Sequence, residues 1–506
     1  MQSIKLKTVE ELSHLLAERK GQGKKIVLCH GVFDLIHPGH IHHFEEAKRQ
    51  GDILVVSITP DNFVNKGPGR PVFNQRLRAD FLTALEMVDY VTINRWPTAV
   101  ETIRFLRPDI YVKGWEYSDG ENDVTQGITK ETEAVHKVGG GIFFTRGDVF
   151  SSTELLNAYF DVHSPETKEF LRNFRQKYSA ENVIGFLDQL RSLKVLVIGE
   201  TIIDEYLYCH TMNKSAKDNI LVSRYLYEEA FAGGILACAN HMAGFCGQVD
   251  LVSVLGKEDD RQDFIRSRLH SKVRPYFFFG KGKTIVKRRF VDPQFVSKLF
   301  EVCYLPDPEP MSSSASRIED FLATRLPEYD LVLAVDYGHG FFQPGIIGLL
   351  SEKSSFLAIN TQTNSANLGF NVITKYPKAN FISLSEPEIR LATHDRDGSL
   401  EESIGVISRQ LHCRQVAVTR GKLGSITYRE PEGFFSAPVF SNKVVDRIGA
   451  GDAYLSITAP CAVKNYPIDL MAFVGNAVGA MAVNVVCNRE PVAPVHLYKF
   501  ITALLK

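Results

Sequence analysis

The chain has 506 residues and a formal net charge of −1, from 58 Lys and Arg against 59 Asp and Glu, so nothing steers it toward nucleic acid or an anionic membrane surface. That length suggests about two to four domains, and 44% apolar residues are enough for ordinary cores. The eight cysteines are scattered without a CxxC pair, which argues against a disulfide framework or a zinc site, and no apolar run is long enough for a membrane span or a secretion signal; the expectation is a soluble, cytoplasmic protein without nucleic-acid or membrane partners.

In chain order, strands are predicted at Ile26–Cys29, Ile53–Ile58, Tyr90–Ile93, Ile110–Val112 and Ile142–Thr145, with helices between them such as His42–Arg49 and Gln75–Met87. This alternation predicts βαβ units on a parallel sheet. The first domain is expected over residues 1–160, followed by a polar helical connector over 161–190. A second run opens at Lys194–Gly199 and continues through Val249–Leu255, Leu331–Val335, Phe356–Ile359, Phe381–Ser383 and Val416–Thr419, one large α/β domain over 191–506. Arg274–Val302 reads instead as short β-rich pieces, a small lid on that domain. The fold class is therefore α/β, with two Rossmann-like domains. They share a βα style but no repeated motif, so they read as fused rather than duplicated.

His37 and His40 follow the first strand, with Gly39 between them. In an open parallel sheet, ligands bind outside the carboxyl ends of the strands. A histidine pair opening a helix there can hydrogen-bond phosphate oxygens and stabilise charge that builds during nucleotidyl transfer. On its own such a pair also arises by chance or as a metal pair. The longer run Gly31-Val32-Phe33-Asp34-Leu-Ile-His37-Pro-Gly39-His40 resembles the nucleotidyltransferase family that includes the cytidylyltransferases. Further elements match in order: the basic loop Lys66-Gly-Pro-Gly-Arg70, Arg78 ahead of Leu85–Tyr90, Lys113 closing Asp109-Ile-Tyr-Val-Lys, and Phe150-Ser151-Ser152-Thr153 at a helix start. The resemblance implies that His37, His40 and Lys113 are catalytic. It also implies that Val32, Phe33, Asp34, Lys66, Arg70, Arg78, Ser151, Ser152 and Thr153 bind the nucleotide. Class I tRNA synthetases share the histidine motif, but the chain shows no basic tRNA-binding surface.

Near the other end, Asp446-Arg447-Ile448-Gly449-Ala450-Gly451-Asp452 precedes a short helical pattern ahead of Pro460. Small residues let backbone N–H groups point into open space at a helix N-terminus, where the dipole favours anions. An aspartate beside such a cradle repels phosphate and is well placed as a base. This segment resembles the signature of the ribokinase-like (PfkB) sugar kinases. Supporting elements follow the family's order: Gly199 to Asp204, Gly233-Gly234 through Asn240, Asp336-Tyr-Gly338, Thr419-Arg-Gly421-Lys-Leu-Gly424, and Asn476 on a later helix. The resemblance implies that Asp452 is the base and that Gly449, Ala450, Gly451, Glu388, Thr419, Gly421, Gly424 and Asn476 hold ATP. Asp204, Gly233, Gly234, Asn240 and Asp336 would hold the sugar. Two departures stand out. Arg447-Ile448 replaces the family's Thr-Thr, and Ser385-Glu-Pro-Glu388 replaces Asn-x-x-Glu, which keeps Glu388 as an indirect Mg²⁺ contact but loses the asparagine.

The pairing resembles the bifunctional heptose 7-phosphate kinase/heptose 1-phosphate adenylyltransferases of ADP-heptose synthesis for lipopolysaccharide or capsule, with the domain order reversed. It implies phosphorylation of a sugar phosphate at its anomeric hydroxyl by ATP, and transfer of a nucleotidyl group from ATP or CTP to a sugar 1-phosphate. Mg²⁺, small-molecule sugar phosphates and nucleotides, and a homodimer are expected. Two alternatives stay open: synthesis of a CDP-linked polyol or sugar with a different kinase substrate, such as a sugar acid, and an active nucleotidyltransferase carrying a catalytically dead, regulatory kinase-like domain.

Overall fold

The structure is a computed structural model describing residues 4–64, 70–114, 127–145, 163–294, 296–305, 314–441 and 443–506. Lys66, Ser151, Ser152 and Thr153 lie outside the described residues. The chain divides into two compact units, one made of Met1–Ser164 with Tyr498–Lys506 and the other of Pro165–Leu497.

In the first unit, strands β1 (Ile26–Gly31), β2 (Ile53–Ile58), β3 (Tyr90–Ile93), β4 (Ile110–Gly114) and β5 (Gly141–Thr145) form one sheet in the order β3-β2-β1-β4-β5. Every pairing is parallel. Side chains alternate faces along a strand, and the burial follows that period. Val27, Cys29, Leu54, Val56, Ile58, Val91 and Val112 pack on one side against Phe44, Ala79 and Leu82. On the opposite side Ile26, Leu28, Val55 and Tyr111 meet Leu12, Leu16, Ile103 and Val135. Strands covered on both faces read as continuous apolar runs, which is why all five are legible in the sequence. The order reverses between β1 and β4, leaving a crevice at their carboxyl ends.

The second unit has a nine-stranded sheet and a smaller four-stranded one. Its strands are β6 (Lys194–Gly199), β7 (Thr201–Lys214), β8 (Leu221–Gly234), β9 (Gln248–Gly256), β10 (Val273–Gly280), β11 (Ile285–Asp292), β12 (Ser297–Tyr304), β13 (Leu331–Asp336), β14 (Leu357–Thr361), β15 (Phe381–Ser385), β16 (Gln415–Thr419), β17 (Ser425–Arg429) and β18 (Gly433–Ala437). The large sheet runs β10-β9-β6-β13-β14-β15-β16-β17-β18, parallel up to β16 and antiparallel beyond it. The small sheet runs β12-β11-β7-β8. The lid expected over Arg274–Val302 is therefore only partly right. β10 is an edge of the large sheet, and the lid's two longest strands, β7 and β8, lie upstream. Among the described residues, no helix is long and apolar enough to cross a membrane.

Residues 165–189, expected as a connector, form helices Pro165–Arg175 and Ala180–Gln189 that pack within the second unit. Phe174 stacks on Phe473 with ring centroids 4.2 Å apart, and Phe170 leans on Phe435 and Phe440. Lys177 and Tyr178 both bond the Asp469 carboxylate, at 2.9 and 3.0 Å. The polar residues that suggested a linker are the solvent face of an amphipathic helix whose other face is aromatic.

Candidate functional site

At the end of β1, Phe33 adopts a left-handed backbone, φ 50°, which turns the chain out of the strand. His37 then N-caps helix Pro38–Lys48, with proline at the first turn, where its fixed φ suits helix entry. The His37 and His40 rings lie 3.8 Å apart, centroid to centroid, and His40 meets the Phe33 ring edge-on at 5.4 Å. Lys113, near the end of β4, sits on the neighbouring strand, since Cys29 pairs with Val112. Its ammonium is 2.9 Å from the Glu131 carboxylate, which also accepts from the Tyr111 hydroxyl at 3.0 Å. Burial would raise the Glu131 carboxyl, but the Lys113 charge, the neighbouring His30 and the hydrogen bonds from Lys113 and Tyr111 together outweigh it and hold the carboxyl below its usual range. His30 and His43 are half-buried beside this pair. Burial pulls both down to about 4, which leaves them neutral at pH 7. His30 lies between the Ser57 and Thr59 hydroxyls, and His43 is 2.9 Å from that of Thr145. His37, His40 and Lys113 thus share the carboxyl-end crevice of one sheet.

Three expected nucleotide contacts are turned inward. The Asp34 carboxylate accepts from Arg70 at 2.6 Å and from the Val72 and Phe73 amides at 2.9 Å. Arg78 is wholly buried, and its guanidinium donates to the Val32, Thr59 and Phe73 carbonyls and to Asp61. Asp34 and Arg78, with Arg70 paired to the former, tie the loops that carry the histidines. Val32 contributes its carbonyl to the same tie.

In the second unit, helix Ala450–Val463 opens on Gly449, whose φ is 85° and whose missing Cβ would lie 1.9 Å from the Asn488 side chain, so only glycine fits. Gly451 faces open space. Asp452, in the first turn, is buried and accepts from the Tyr337 hydroxyl at 3.0 Å and the Gln362 amide at 3.3 Å. Burial pushes its carboxyl up to about 7. The Tyr337 bond opposes that rise, Asp204 adds to it, Lys287 lowers it and Glu388 raises it again. A carboxylate tuned to neutrality can accept a proton at neutral pH. Asp204, on β7, pairs with Arg289 of β11. A Cβ on Gly233 would fall 1.9 Å from the Asp204 carboxylate, so the glycine there serves close approach. Gly234 ends β8 and N-caps the next helix.

The other expected residues have the following surroundings. The Asp336 carboxylate is held by Tyr376 at 2.7 Å, Lys375 at 2.5 Å, and the Gly338 and Asn371 nitrogens, so it braces the strand end. Its sequence neighbour Tyr337 is the residue that reaches Asp452. The Asn476 amide donates to the Ala437 and Pro438 carbonyls, fixing the end of β18. Asn240 bonds the Arg268 carbonyl and the His270 amide, and it lines a cavity of about 250 Å³ with Phe231, Arg268, Asn488 and Arg489. Thr419 closes β16, and Gly421 to Gly424 form the single turn after it. Glu388 accepts from the Ser385 amide and hydroxyl at 2.7 Å and from the Thr363 amide at 3.2 Å. Ser385 therefore caps its own helix where asparagine was expected. Among the described residues no three acidic, His or Cys side chains are grouped to hold a metal. Glu200, Gln362 and Lys287 went unread. Glu200 is buried, and its carboxylate takes the amides of Tyr337, His339 and Phe341, shaping the loop beside Asp452.

The cytidylyltransferase-like family profile matches residues 28–158, and that of the pfkB family carbohydrate kinases matches residues 365–492. The chain carries a cytidylyltransferase-like domain and a pfkB carbohydrate kinase domain. Its transferase domain is similar to the bifunctional protein HldE of Aliarcobacter butzleri, 42% identical over 137 residues, which is 27% of this chain and 29% of that protein. HldE of Desulfatibacillum aliphaticivorans is 43% identical over 115 residues, 22% of this chain and 24% of that protein. The chain thus spans less than a third of the length of these curated relatives. The kinase domain's fold is similar to phosphofructokinase-2 from Escherichia coli in complex with substrates and products, at TM-score 0.50 and 12% identity over 62% of this chain and all of that one.

Proposed function

We propose that the chain performs two phosphate chemistries in the synthesis of a nucleotide-activated sugar. In the kinase domain, Asp452 takes the proton from the anomeric hydroxyl of a sugar phosphate. The freed oxygen attacks the γ-phosphorus of ATP, the bond to the β,γ-bridging oxygen breaks, and ADP leaves. ATP enters as its magnesium complex, with the metal carried by the substrate. The amides at Gly449 to Gly451 hold the group in transfer at the positive end of the helix. In the transferase domain, a sugar 1-phosphate oxygen attacks the α-phosphorus of ATP or CTP and pyrophosphate leaves. His37, His40 and Lys113 stabilise the charge that develops, so positioning and electrostatics carry the rate with no covalent intermediate.

The observation that carries this reading is the buried Asp452 carboxylate, raised to about 7 in the first turn of a glycine-opened helix. A scaffold without catalysis has no use for an ionisable group there, and burying one costs free energy. A heptose phosphate is the acceptor favoured, by the motif resemblance of the two domains together to the bifunctional heptose kinase/adenylyltransferases. Incubation with ATP and CTP in turn, and with a panel of heptose and hexose phosphates and their 1-phosphates, read by mass spectrometry, tests both halves. Nucleotide-sugar and phosphorylated-sugar products support the reading; ATP bound but never turned over in the kinase domain refutes its first half.

A further inference from the structure

The kinase site is crowded with acids, and most nearby cations are already matched. Arg289 pairs with Asp204 and Glu301, Lys298 with Asp446, Lys375 with Asp336, and Arg420 with Glu386. Lys287 differs. It lies on β11 directly beside Asp204 of β7, two residues before Arg289, so all three side chains share one face of the lid sheet. That face looks onto the body of the domain: Tyr206, Phe231 and Val291 on it pack against Cys487, with Ile448 alongside. Arg288 points the other way, to Glu205. Lys287 is half-buried, and among the described residues its ammonium has no hydrogen bond or ion pair, although its charge acts on Asp452 and on His339. A half-buried ammonium without a fixed carboxylate partner is costly unless an anion arrives to meet it.

We propose that Lys287 is a catalytic residue of the kinase domain, its ammonium contacting the γ-phosphoryl group of ATP as that group passes to the acceptor oxygen activated by Asp452. The proposal rests on the kinase reading above. Lys287 transfers no proton. The acceptor's proton goes to Asp452, the new oxygen–phosphorus bond forms as the bond to the β,γ-bridging oxygen breaks, and the lysine offsets negative charge on the equatorial oxygens. Placed on the lid, it would complete the site when the lid strands lie over the substrate.

The test is steady-state kinetics of Lys287→Met and Lys287→Arg in the full-length chain, with ADP release and pyrophosphate release followed on the same preparations. For Lys287→Met, kcat for phosphoryl transfer should fall about 10²–10³-fold with nucleotidyl transfer unchanged. Lys287→Arg should recover most of it, because the charge is restored. Lys287→Met should also raise the apparent pKa of the pH–rate profile, since Asp452 would then face only Asp204, Glu388, Tyr337, Gln362 and Cys238. A purely structural lysine would move neither the arginine rescue nor the profile. A kcat within about threefold of wild type, or a fall that arginine does not mend with an unmoved profile, overturns the proposal. If the wild-type chain transfers phosphoryl neither to any sugar nor to water, the kinase reading fails, and the Lys287 assignment with it.

Discussion

Replacing Asp452 with asparagine should abolish phosphoryl transfer and yet make the kinase domain harder to unfold at alkaline pH. Burial is the main reason that the carboxyl rises from 3.8 to about 7. A folded-state pKa raised above the unfolded value gives stability that is fully present below 3.8 and is lost as pH rises through about 7. At pH 8 the native state therefore bears the full cost of a buried charge. At about 1.4 kcal/mol for each tenfold change in proton affinity, that rise bounds the cost near 4 kcal/mol. Asparagine removes the charge but keeps an oxygen for the Tyr337 hydroxyl, so we expect a gain of about 1–3 kcal/mol at pH 8 and almost none at pH 4. With about 2–4 °C of unfolding temperature per kcal/mol in domains of moderate size, calorimetry at the two pH values resolves this. Turnover should fall about 10²–10⁴-fold, the usual contribution of a general base. In the wild-type chain, kcat/KM should rise with pH through about 7 and then level off. An Asp452→Asn chain that keeps near-normal turnover, or melts identically relative to wild type at both pH values, would refute the assignment of Asp452 as a buried base.

His40→Ala should lower pyrophosphate release about 10²–10³-fold and leave ADP release unchanged; equal loss of both would mean a folding defect. Arg78→Met should destabilise the transferase domain by about 3–5 kcal/mol, because it strands buried carbonyls and Asp61, while the KM for the nucleotide stays near wild type at low temperature; a raised KM without lost stability would restore Arg78 as a nucleotide contact. Gly233→Ala should displace Asp204 and cut phosphoryl transfer about 10²-fold in kcat/KM for the sugar, and a variant with wild-type kinetics would show that close approach there is not needed.

Much of the architecture could be read in advance because strands buried on both faces are apolar without interruption, as at Ile26–Cys29 and Leu331–Val335. The lid hairpin could not. Only Glu200 separates β6 from β7, and Asp204 and Glu205 break the apolar pattern of β7, while the outer half of β8 is exposed and follows no simple alternation. The places of His37, His40, Lys113 and Asp452, at strand ends and the first turns of helices, were legible because motif spacing sets them. The intramolecular partners of Arg78, Asp34 and Asp336 were not legible. A motif shows that a charged group is required, but only packing shows whether it faces the ligand or holds the loop that does. Tyr337, Gln362 and Lys287 went unread because each lies far in sequence from the carboxylate it neighbours.

The central claim, two separable phosphate chemistries on one chain, is tested most directly by following ADP and pyrophosphate release in parallel on the wild-type, Asp452→Asn and His40→Ala chains supplied with a sugar phosphate, its 1-phosphate, ATP and CTP. The account predicts that the wild-type chain releases both products, that Asp452→Asn releases pyrophosphate without ADP, and that His40→Ala releases ADP without pyrophosphate. Simultaneous loss of both products in either variant, or a wild-type chain that forms only one, would contradict it.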